Sequence, residues 1–517
     1  MFRLTTALAL VLGTAATAEE FNFAVTTDPQ SMDPHAVNSA PVLGFLNNVY
    51  ECLVRRGKDM SIEPSLATSW EPIGDGEGWR FNLRQGVTFQ DGAEFNADDV
   101  IFSYERASSE EADTSSWFAP VSEVIKVDDF TVDIMTSAPN PIFPDSIANW
   151  MMMDSGWAAA NGAERPDKDQ GNYATLNANG TGSFQITSRQ PDLSTTLEPF
   201  GGWWGEVEHN LTSVTMTPIQ NPATALAALI SGDVDFINPV PIQDAERLQA
   251  NPDVSVIQGI EARVIMLGFD QETGGEHSGG GGKNDMFLDP KAREAVAAAV
   301  NVPAILRTIM RGNAEAASQL VSPAMRGFST ANHTPYAFDA DKARMLAEET
   351  GLVGQTIEFK CPNNRYLNDE AVCQAITAML AQAGMDVNLD AMPVSNYWPE
   401  LRADNFDMYL LGWSPGTFDA EHPIRFLGST PNAEKRLGSW NFGGYSNARI
   451  DELLPMIQSE IDDTKRQAML DEVAGIIQDE VAYVPLYVQP LVWGTRSNVE
   501  LTQRPDNFFI LRWVTVN

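Results

Sequence analysis

The chain has 517 residues and carries 70 Asp and Glu against 33 Lys and Arg, a formal net charge of −37. This length exceeds the roughly 250–300 residues at which a single hydrophobic core stops growing, so at least two lobes are expected. The acid excess disfavours a nucleic-acid partner, because phosphate binding requires a basic surplus. An apolar fraction of 43% with 12 Trp and 25 Phe excludes a disordered acidic chain.

The start of the chain has the pattern of a secretory signal peptide. Arg3 precedes an apolar stretch from Leu8 to Leu12, and small residues ending at Ala18 follow. The stretch is shorter than the about 20 residues that a membrane-spanning helix needs. The pattern therefore predicts a cleaved signal peptide at residues 1–18, and with it an exported protein of the periplasm.

Strand-like and helix-like segments then alternate, which is typical of α/β lobes. Asn96 is a predicted helix cap, Gly232 a left-handed helix end and Pro290 a first helical residue. The glycine-rich residues 274–282 are expected to form a flexible surface loop. In chain order, the patterns predict strands at 21–26, 79–83 and 87–89, helices at 96–106 and 222–230, a strand at 264–269, a helix opening at 289–290, and helices at 368–383 and 447–459.

Enzyme motifs are weak in this sequence. A Gly-x-Ser-x-Gly match centres on Ser414, but a nucleophile elbow uses the backbone N–H of the next residue, and Pro415 has none. The five histidines are scattered and no His-Glu-x-x-His motif occurs. We therefore expect no enzyme activity, no metal and no cofactor, and a secreted serine hydrolase using Ser414 is a distant alternative.

Short blocks spread over nearly the whole chain after residue 18 carry a family resemblance. They are SMDP at 31–34, PSLATSWE at 64–71, FNLRQGVTFQDG at 81–92, NADDVIFS at 96–103, LAALISGDVDF at 226–236, NFGGYSNARIDELL at 441–454 and AYVPLY at 482–487. Each block alone is weak, but their number and order resemble the family 5 extracellular solute-binding proteins of ABC importers. That family includes dipeptide- and oligopeptide-binding proteins.

The resemblance implies an α/β fold of two lobes that close like a clamshell on a ligand, which a membrane permease then receives. Lobe I would be discontinuous, comprising residues 19–264 and 493–517 with an extra subdomain at about 45–180. Lobe II would span 268–486. The two hinge strands would lie at about 264–269 and 486–493, and both segments are apolar and strand-like.

The resemblance also suggests ligand-binding residues. Residues 362–368 are similar to the segment in which dipeptide binders place an arginine on the ligand carboxylate, which here is Arg365. A guanidinium offers a two-pronged donor suited to that group. Trp413 would form an apolar wall of the site. Weaker candidates are Phe418, Trp440, Asn441 and Thr27.

One position departs from the pattern of peptide binders. After the Gly-Trp pair at 412–413, those proteins have an aspartate that holds the ligand ammonium, whereas this chain has Gly416. Asp419 either replaces that aspartate or matches a second family aspartate. We expect a di- or oligopeptide ligand, and the departure and the many tryptophans support one alternative, a non-peptide solute such as an oligosaccharide.

Two further expectations concern covalent and quaternary structure. Cys361 and Cys373 lie twelve positions apart, and either a disulfide or two buried thiols would suit an exported protein of this size. The resemblance implies a monomer that binds a small peptide or another small molecule and docks on an ABC permease.

Overall fold

The computed structural model describes residues 19–167, 170–272 and 285–517. The predicted signal peptide and the glycine-rich segment at 274–282 both lie outside these residues. The described strands are β1 (Glu19–Val25), β2 (Val54–Arg56), β3 (Ile62–Pro64), β4 (Ala67–Ile73), β5 (Gly78–Leu83), β6 (Val121–Asp128), β7 (Thr131–Thr136), β8 (Phe184–Gln190), β9 (Ser194–Pro199), β10 (Leu211–Pro218), β11 (Phe236–Asn238), β12 (Val254–Phe269), β13 (Glu315–Ala316), β14 (Thr356–Pro362), β15 (Asp386–Met392), β16 (Met408–Trp413), β17 (Val484–Arg496), β18 (Val499–Glu500) and β19 (Thr515–Val516).

Helices connect most of these strands. They are α1 (Ala40–Leu46), α2 (Ala97–Ala107), α3 (Phe143–Ser146), α4 (Ser155–Ala160), α5 (Pro222–Ser231), α6 (Ile242–Gln249), α7 (Pro290–Ala299), α8 (Val302–Thr308), α9 (Ala340–Glu349), α10 (Asp369–Gln382), α11 (Val394–Arg402), α12 (Glu421–Pro423), α13 (Ala448–Ser459) and α14 (Asp463–Asp479).

A mixed sheet of 11 strands runs through the molecule in the order β15-β14-β16-β12-β17-β11-β1-β10-β9-β8, with β13 paired to β17. Strands β14, β15 and β16 are parallel at one end, and β1, β10 and β11 are parallel at the other. The long antiparallel strands β12 and β17 join these two halves. Mixed α/β halves joined in this way form a two-lobe clamshell.

The pairing of β12 with β17 is interrupted near its middle. Ile260 pairs with Pro490 and Val264 with Val488, so three residues of β12, 261–263, face the single residue Gln489 of β17. Such an insertion is a β-bulge, which turns side chains away from the regular alternation of the sheet. The bulge lies where the two halves of the sheet meet.

Smaller sheets lie in the segment between β1 and β8. Strands β4, β5, β7 and β6 form a four-stranded antiparallel sheet, and β2 pairs with β3. Phe81 and Trp150 are fully buried in a separate core beneath the four-stranded sheet. In contrast, Phe21 and Trp493 belong to the core of the β1 half, and Tyr409 to that of the β16 half.

The helix boundaries confirm the capping signals in the sequence. The Asn96 side chain accepts from the backbone N–H of Asp98 and begins α2, Gly232 ends α5 at a φ of +84°, and Pro290 is the first residue of α7. The predicted strand at 87–89 is wrong, because this segment forms only an isolated bridge between Thr88 and Glu94. The short alternation there reflects a turn whose pairing does not extend.

Candidate functional site

The loops of both halves of the sheet converge on the bulge. Parallel strands place their carboxyl ends at one edge, where ligands of open α/β sheets bind. The register pairs Trp413, the end of β16, with Val264, and β11 runs along β17 toward the same point. The loops after β14 and β16 therefore face the loops after β1 and β11 across a cleft floored by β12 and β17.

Arg365 lies on the loop after β14 and is exposed. Its backbone N–H donates to an Asp369 carboxylate oxygen at 2.8 Å, which fixes the loop at the start of α10. Its guanidinium lies 5.4 Å from the centre of the Tyr366 ring. Among the described residues, the Arg365 side chain has no ion-pair partner, so its charge is available to a carboxylate.

A second arginine approaches the same tyrosine from the bulge. The Arg263 guanidinium is 6.0 Å from the Tyr366 ring centre and pairs with Glu261 at 3.1 Å. Gln489 of β17 donates to Glu261 at 2.5 Å. The floor of the cleft thus contains a compensated charge pair beside the uncompensated Arg365. Sequence reasoning missed this pair, because the register shift that turns it toward the cleft has no sequence signature.

Trp413 belongs to a group of packed aromatic rings. Its ring centre is 5.4 Å from that of His422, 5.7 Å from Phe426 and 5.6 Å from Trp440. Its Nε1–H donates to Nδ1 of His422 at 3.3 Å. Burial, with a contribution from Arg425, lowers the pKa of His422 to about 3, so the imidazole is neutral and can accept that hydrogen bond. Trp413 itself is only 9% exposed.

Two of the sequence-derived candidates have their polar groups occupied inside the protein. Asp419 is fully buried, and Arg466 holds its two carboxylate oxygens at 2.7 and 2.8 Å. The Asn441 side chain donates to the Ser429 and Tyr445 carbonyls and accepts from the Tyr445 N–H. The structure therefore places both side chains in the framework behind the 414–418 loop.

The other candidates lie at the edges of the cleft. Gly416 is exposed, and an added Cβ would meet only Nε2 of His422 within 4 Å, at 3.8 Å. Phe418 follows with a φ of +56° and packs under Arg56 at 4.5 Å. Thr27 is exposed on the loop after β1, and Trp440 is half-buried beside Trp413. The structure thus brings Arg365, Trp413 and Gly416 to one edge and Thr27 to the opposing one.

A disulfide supports the loop that carries Arg365. Cys361, near the end of β14, is joined to Cys373 in α10, and Cys52 is a buried free thiol. The bridge ties strand and helix together on the two sides of the 363–368 loop. Within the described ranges, no helix combines the length and apolar character needed to cross a membrane.

The fold and the facing loop edges are those of a two-lobe clamshell binding protein. The model of the bacterial extracellular solute-binding proteins, family 5, matches residues 61–435, and the chain belongs to this family. These proteins serve ABC transporters. The resemblance seen in the sequence is thereby confirmed over most of the chain.

Known proteins are similar along nearly the full length. The glutathione-binding protein GsiB of Escherichia coli K12 is 25% identical over 502 residues, covering 95% of this chain and 93% of GsiB. The structure of DppA from Helicobacter pylori with the peptide STSA has a TM-score of 0.76 at 23% identity, covering 97% and 98% of the two chains. AgaA from A. tumefaciens R10, with agropinic acid, has a TM-score of 0.73 at 20% identity, covering 96% and 99%.

Proposed function

We propose that this chain is the periplasmic, monomeric substrate-binding component of an ABC importer that captures peptides between its lobes and delivers them to a membrane permease. The observation that carries the proposal is the exposed Arg365 guanidinium, which has no ion-pair partner among the described residues and sits at the cleft edge of a two-lobe fold. A free peptide always presents a terminal carboxylate, and an arginine can bind that group with two hydrogen bonds. The similarity to glutathione- and peptide-binding proteins supports the same reading.

The pairing of strands in the sheet supports the proposed lobe boundaries. We assign residues 19–264 and 493–517 to lobe I and 268–486 to lobe II, with the crossing near the bulge of β12 and β17. Both strands are longer than the predicted hinge segments, and each continues into both halves of the sheet. Closure would then bend two strands at a point where their pairing is already irregular.

In this proposal, Arg365 binds the ligand carboxylate, Trp413 and Trp440 form an apolar wall, and Thr27 contributes a polar contact from lobe I. Gly416 leaves open space where a side chain would otherwise project. Asp419, Phe418 and Asn441 act indirectly, by holding the 414–418 loop and its surroundings.

A non-peptide solute is the second candidate. The absence of a carboxylate at position 416 removes the expected partner for a peptide ammonium, and the rings around Trp413 provide flat apolar surfaces on which a sugar can stack. The fold itself accepts such ligands, since AgaA is bound to agropinic acid. Oligosaccharides and small carboxylated solutes are therefore the competing classes.

A serine hydrolase is disfavoured by the position of Ser414. A nucleophile elbow joins a strand directly to a helix, whereas β16 ends at Trp413 and the next helix begins only at Glu421. We expect a serine-directed phosphonate to leave Ser414 unlabelled, and covalent labelling at that residue would revive the hydrolase.

The ligand class can be tested by thermal shift of the mature protein against dipeptides, glutathione, longer peptides and oligosaccharides. A ligand present at 100 times its Kd stabilises the folded state by about 2.7 kcal/mol, which a melting curve resolves. Peptides should raise the melting temperature. Stabilisation by oligosaccharides alone would refute the peptide assignment.

The role of Arg365 is tested by the variant Arg365→Ala in titration calorimetry with the ligand found. Loss of a charge-assisted pair should weaken binding at least roughly tenfold. Arg402→Ala is a matched control, because Arg402 is also an exposed arginine of lobe II but lies at the far end of α11. Equal affinities of the two variants would remove Arg365 from the site.

A further inference from the structure

A chain of alternating charges crosses from one lobe to the other beside the proposed site. Arg56 of β2 lies 3.5 Å from Asp145 of α3, and Arg326 reaches the other oxygen of Asp145 at 3.2 Å. Arg326 also lies 4.0 Å from Asp419, which Arg466 holds at 2.7 Å. By the lobe boundaries proposed above, Arg56 and Asp145 belong to lobe I and the other three residues to lobe II.

Arg56 and Arg326 also make hydrogen bonds with the 414–418 loop. The Arg56 guanidinium donates to the Thr417 carbonyl at 2.8 Å and stacks over Phe418 at 4.5 Å. The backbone N–H of Arg326 donates to the Phe418 carbonyl at 3.1 Å. The loop that carries Gly416 is therefore held from lobe I by a side chain and from lobe II by the main chain.

The contact between lobes at this point mixes ion pairs with apolar side chains and is incompletely packed. A cavity of about 400 Å³ runs along it and is lined from both lobes, by Asp59, Met60, Met325 and Phe418 among others. A packed apolar interface would resist separation, whereas ion pairs beside an open cavity can exchange for water. The contact is thus suited to being made and broken.

If the lobes separated, the charged side chains of Arg56, Asp145 and Arg326 would each keep an ion-pair partner. Asp145 keeps Arg56 as its partner within lobe I. Arg326 keeps Asp419 and Asp463 within lobe II, the latter in direct contact with its guanidinium. Separation would break the ion pair of Arg326 with Asp145, the contacts of Arg56 with the loop and the packing of Met60 in the apolar cluster that contains Met325 and Phe418. Each variant of the charged pair therefore removes only part of the energy that holds the lobes together.

We propose that this charge chain favours the state in which the two lobes are in contact, as in this structure, and couples that contact to the position of the 414–418 loop, with Arg56 and Arg326 as positioning residues on opposite lobes. The inference rests on the proposed function, because it assumes that closure shapes a ligand site at that loop. It adds a lobe I residue, Arg56, to the control of a loop that lobe II carries.

The test is the distance between lobes in the ligand-free mature protein. Spin labels at Glu123→Cys and Glu452→Cys, one exposed position on each lobe, report that distance by pulsed electron paramagnetic resonance. Arg326→Gln and Asp145→Asn should each shift the ratio of molecules with the lobes in contact to molecules with the lobes apart about three- to tenfold toward separation. The double variant should shift it no further than the singles, since both remove the same contact.

The control is the pair Arg80 and Asp133, which lies within lobe I. Its side chains are 38% and 12% exposed, against 36% and 12% for Arg326 and Asp145, so the two pairs are closely matched. Arg80→Gln should leave the lobe distance unchanged.

Three results would overturn the proposal: an unchanged distribution in Arg326→Gln, an equal shift in Arg80→Gln, or a wild-type protein in which no molecules have the lobe distance of this structure. Repeating the measurement with glutathione and with the dipeptide Ala-Ala separates this proposal from the ligand assignment. If neither closes the protein but the ligand-free shift occurs, the charge chain stands and the peptide proposal is weakened.

Discussion

Acidification should destabilise the lobe that contains His422, because this histidine is neutral in the folded protein. Burial lowers its pKa from 6.5 to about 3, with Arg425 acting in the same direction. Below pH 6.5 the unfolded chain takes up a proton that the folded protein does not, so stability is lost as the pH falls. Stability from this group is complete above the unfolded pKa of 6.5 and declines toward the folded pKa of about 3.

The magnitude follows from the two pKa values. Between pH 7 and pH 5, one histidine with this shift lowers the free energy of unfolding by about 2 kcal/mol. His35, which is also buried and has its pKa lowered to about 3, adds a loss of the same sign in lobe I. The contribution of His422 alone is the difference between the wild type and the variant His422→Gln, which cannot titrate.

Urea unfolding at pH 7, 6 and 5, followed by tryptophan fluorescence, measures that difference. We expect the wild type to lose about 2 kcal/mol more than His422→Gln over this interval. A difference that stays constant within about 0.5 kcal/mol would show that His422 becomes protonated in the folded protein, and the reasoning from burial would be wrong. Because the folded protein keeps His422 neutral over this interval, the hydrogen bond from Trp413 should persist down to pH 5.

Two further predictions concern the framework of the site. Asp419→Asn should lower the free energy of unfolding, measured with denaturant, by about 3–5 kcal/mol, because it leaves the buried Arg466 without its counter-charge. The double variant Asp419→Leu with Arg466→Met should recover much of this loss. An Asp419→Asn variant as stable as the wild type would contradict the assignment. Replacing Cys361 and Cys373 by serine should lower the free energy of unfolding by roughly 2–3 kcal/mol, because the loop constraint is lost. The replacement should also abolish the effect of dithiothreitol on the melting temperature. If dithiothreitol does not change the melting temperature of the wild type, the disulfide is contradicted.

Features encoded in short stretches of sequence were predictable. Asn96, Gly232 and Pro290 are signals that act within one turn of a helix, and each lies at a helix end in the structure. The family blocks indicated the fold, because each block is a short local pattern and the blocks occur along the chain in the order of the family they resemble. The failed strand at 87–89 shows the limit, since two or three alternating residues do not determine whether a partner strand lies beside them.

Features that depend on pairing between distant segments were not predictable. The bulge at 261–263 exists only relative to β17, more than 200 positions along the chain. Arg56 and Thr417 are 361 positions apart, and nothing near either residue indicates the other. Such contacts depend on the packing of whole lobes, which single-sequence patterns do not contain.

The net charge of −37 and the charge of the cleft are set by different residues. The excess carboxylates have little effect on the site, because charges more than about 10 Å apart across solvent are screened at physiological ionic strength. Around the cleft, the half-buried Arg263 pairs with Glu261 and the buried Arg466 pairs with Asp419. Arg365 differs in being exposed and unpaired among the described residues. An acidic protein can therefore recognise an anionic ligand. The local pairing of side chains decides this, and not the total charge of the chain, because it leaves the Arg365 guanidinium without a carboxylate among the described residues.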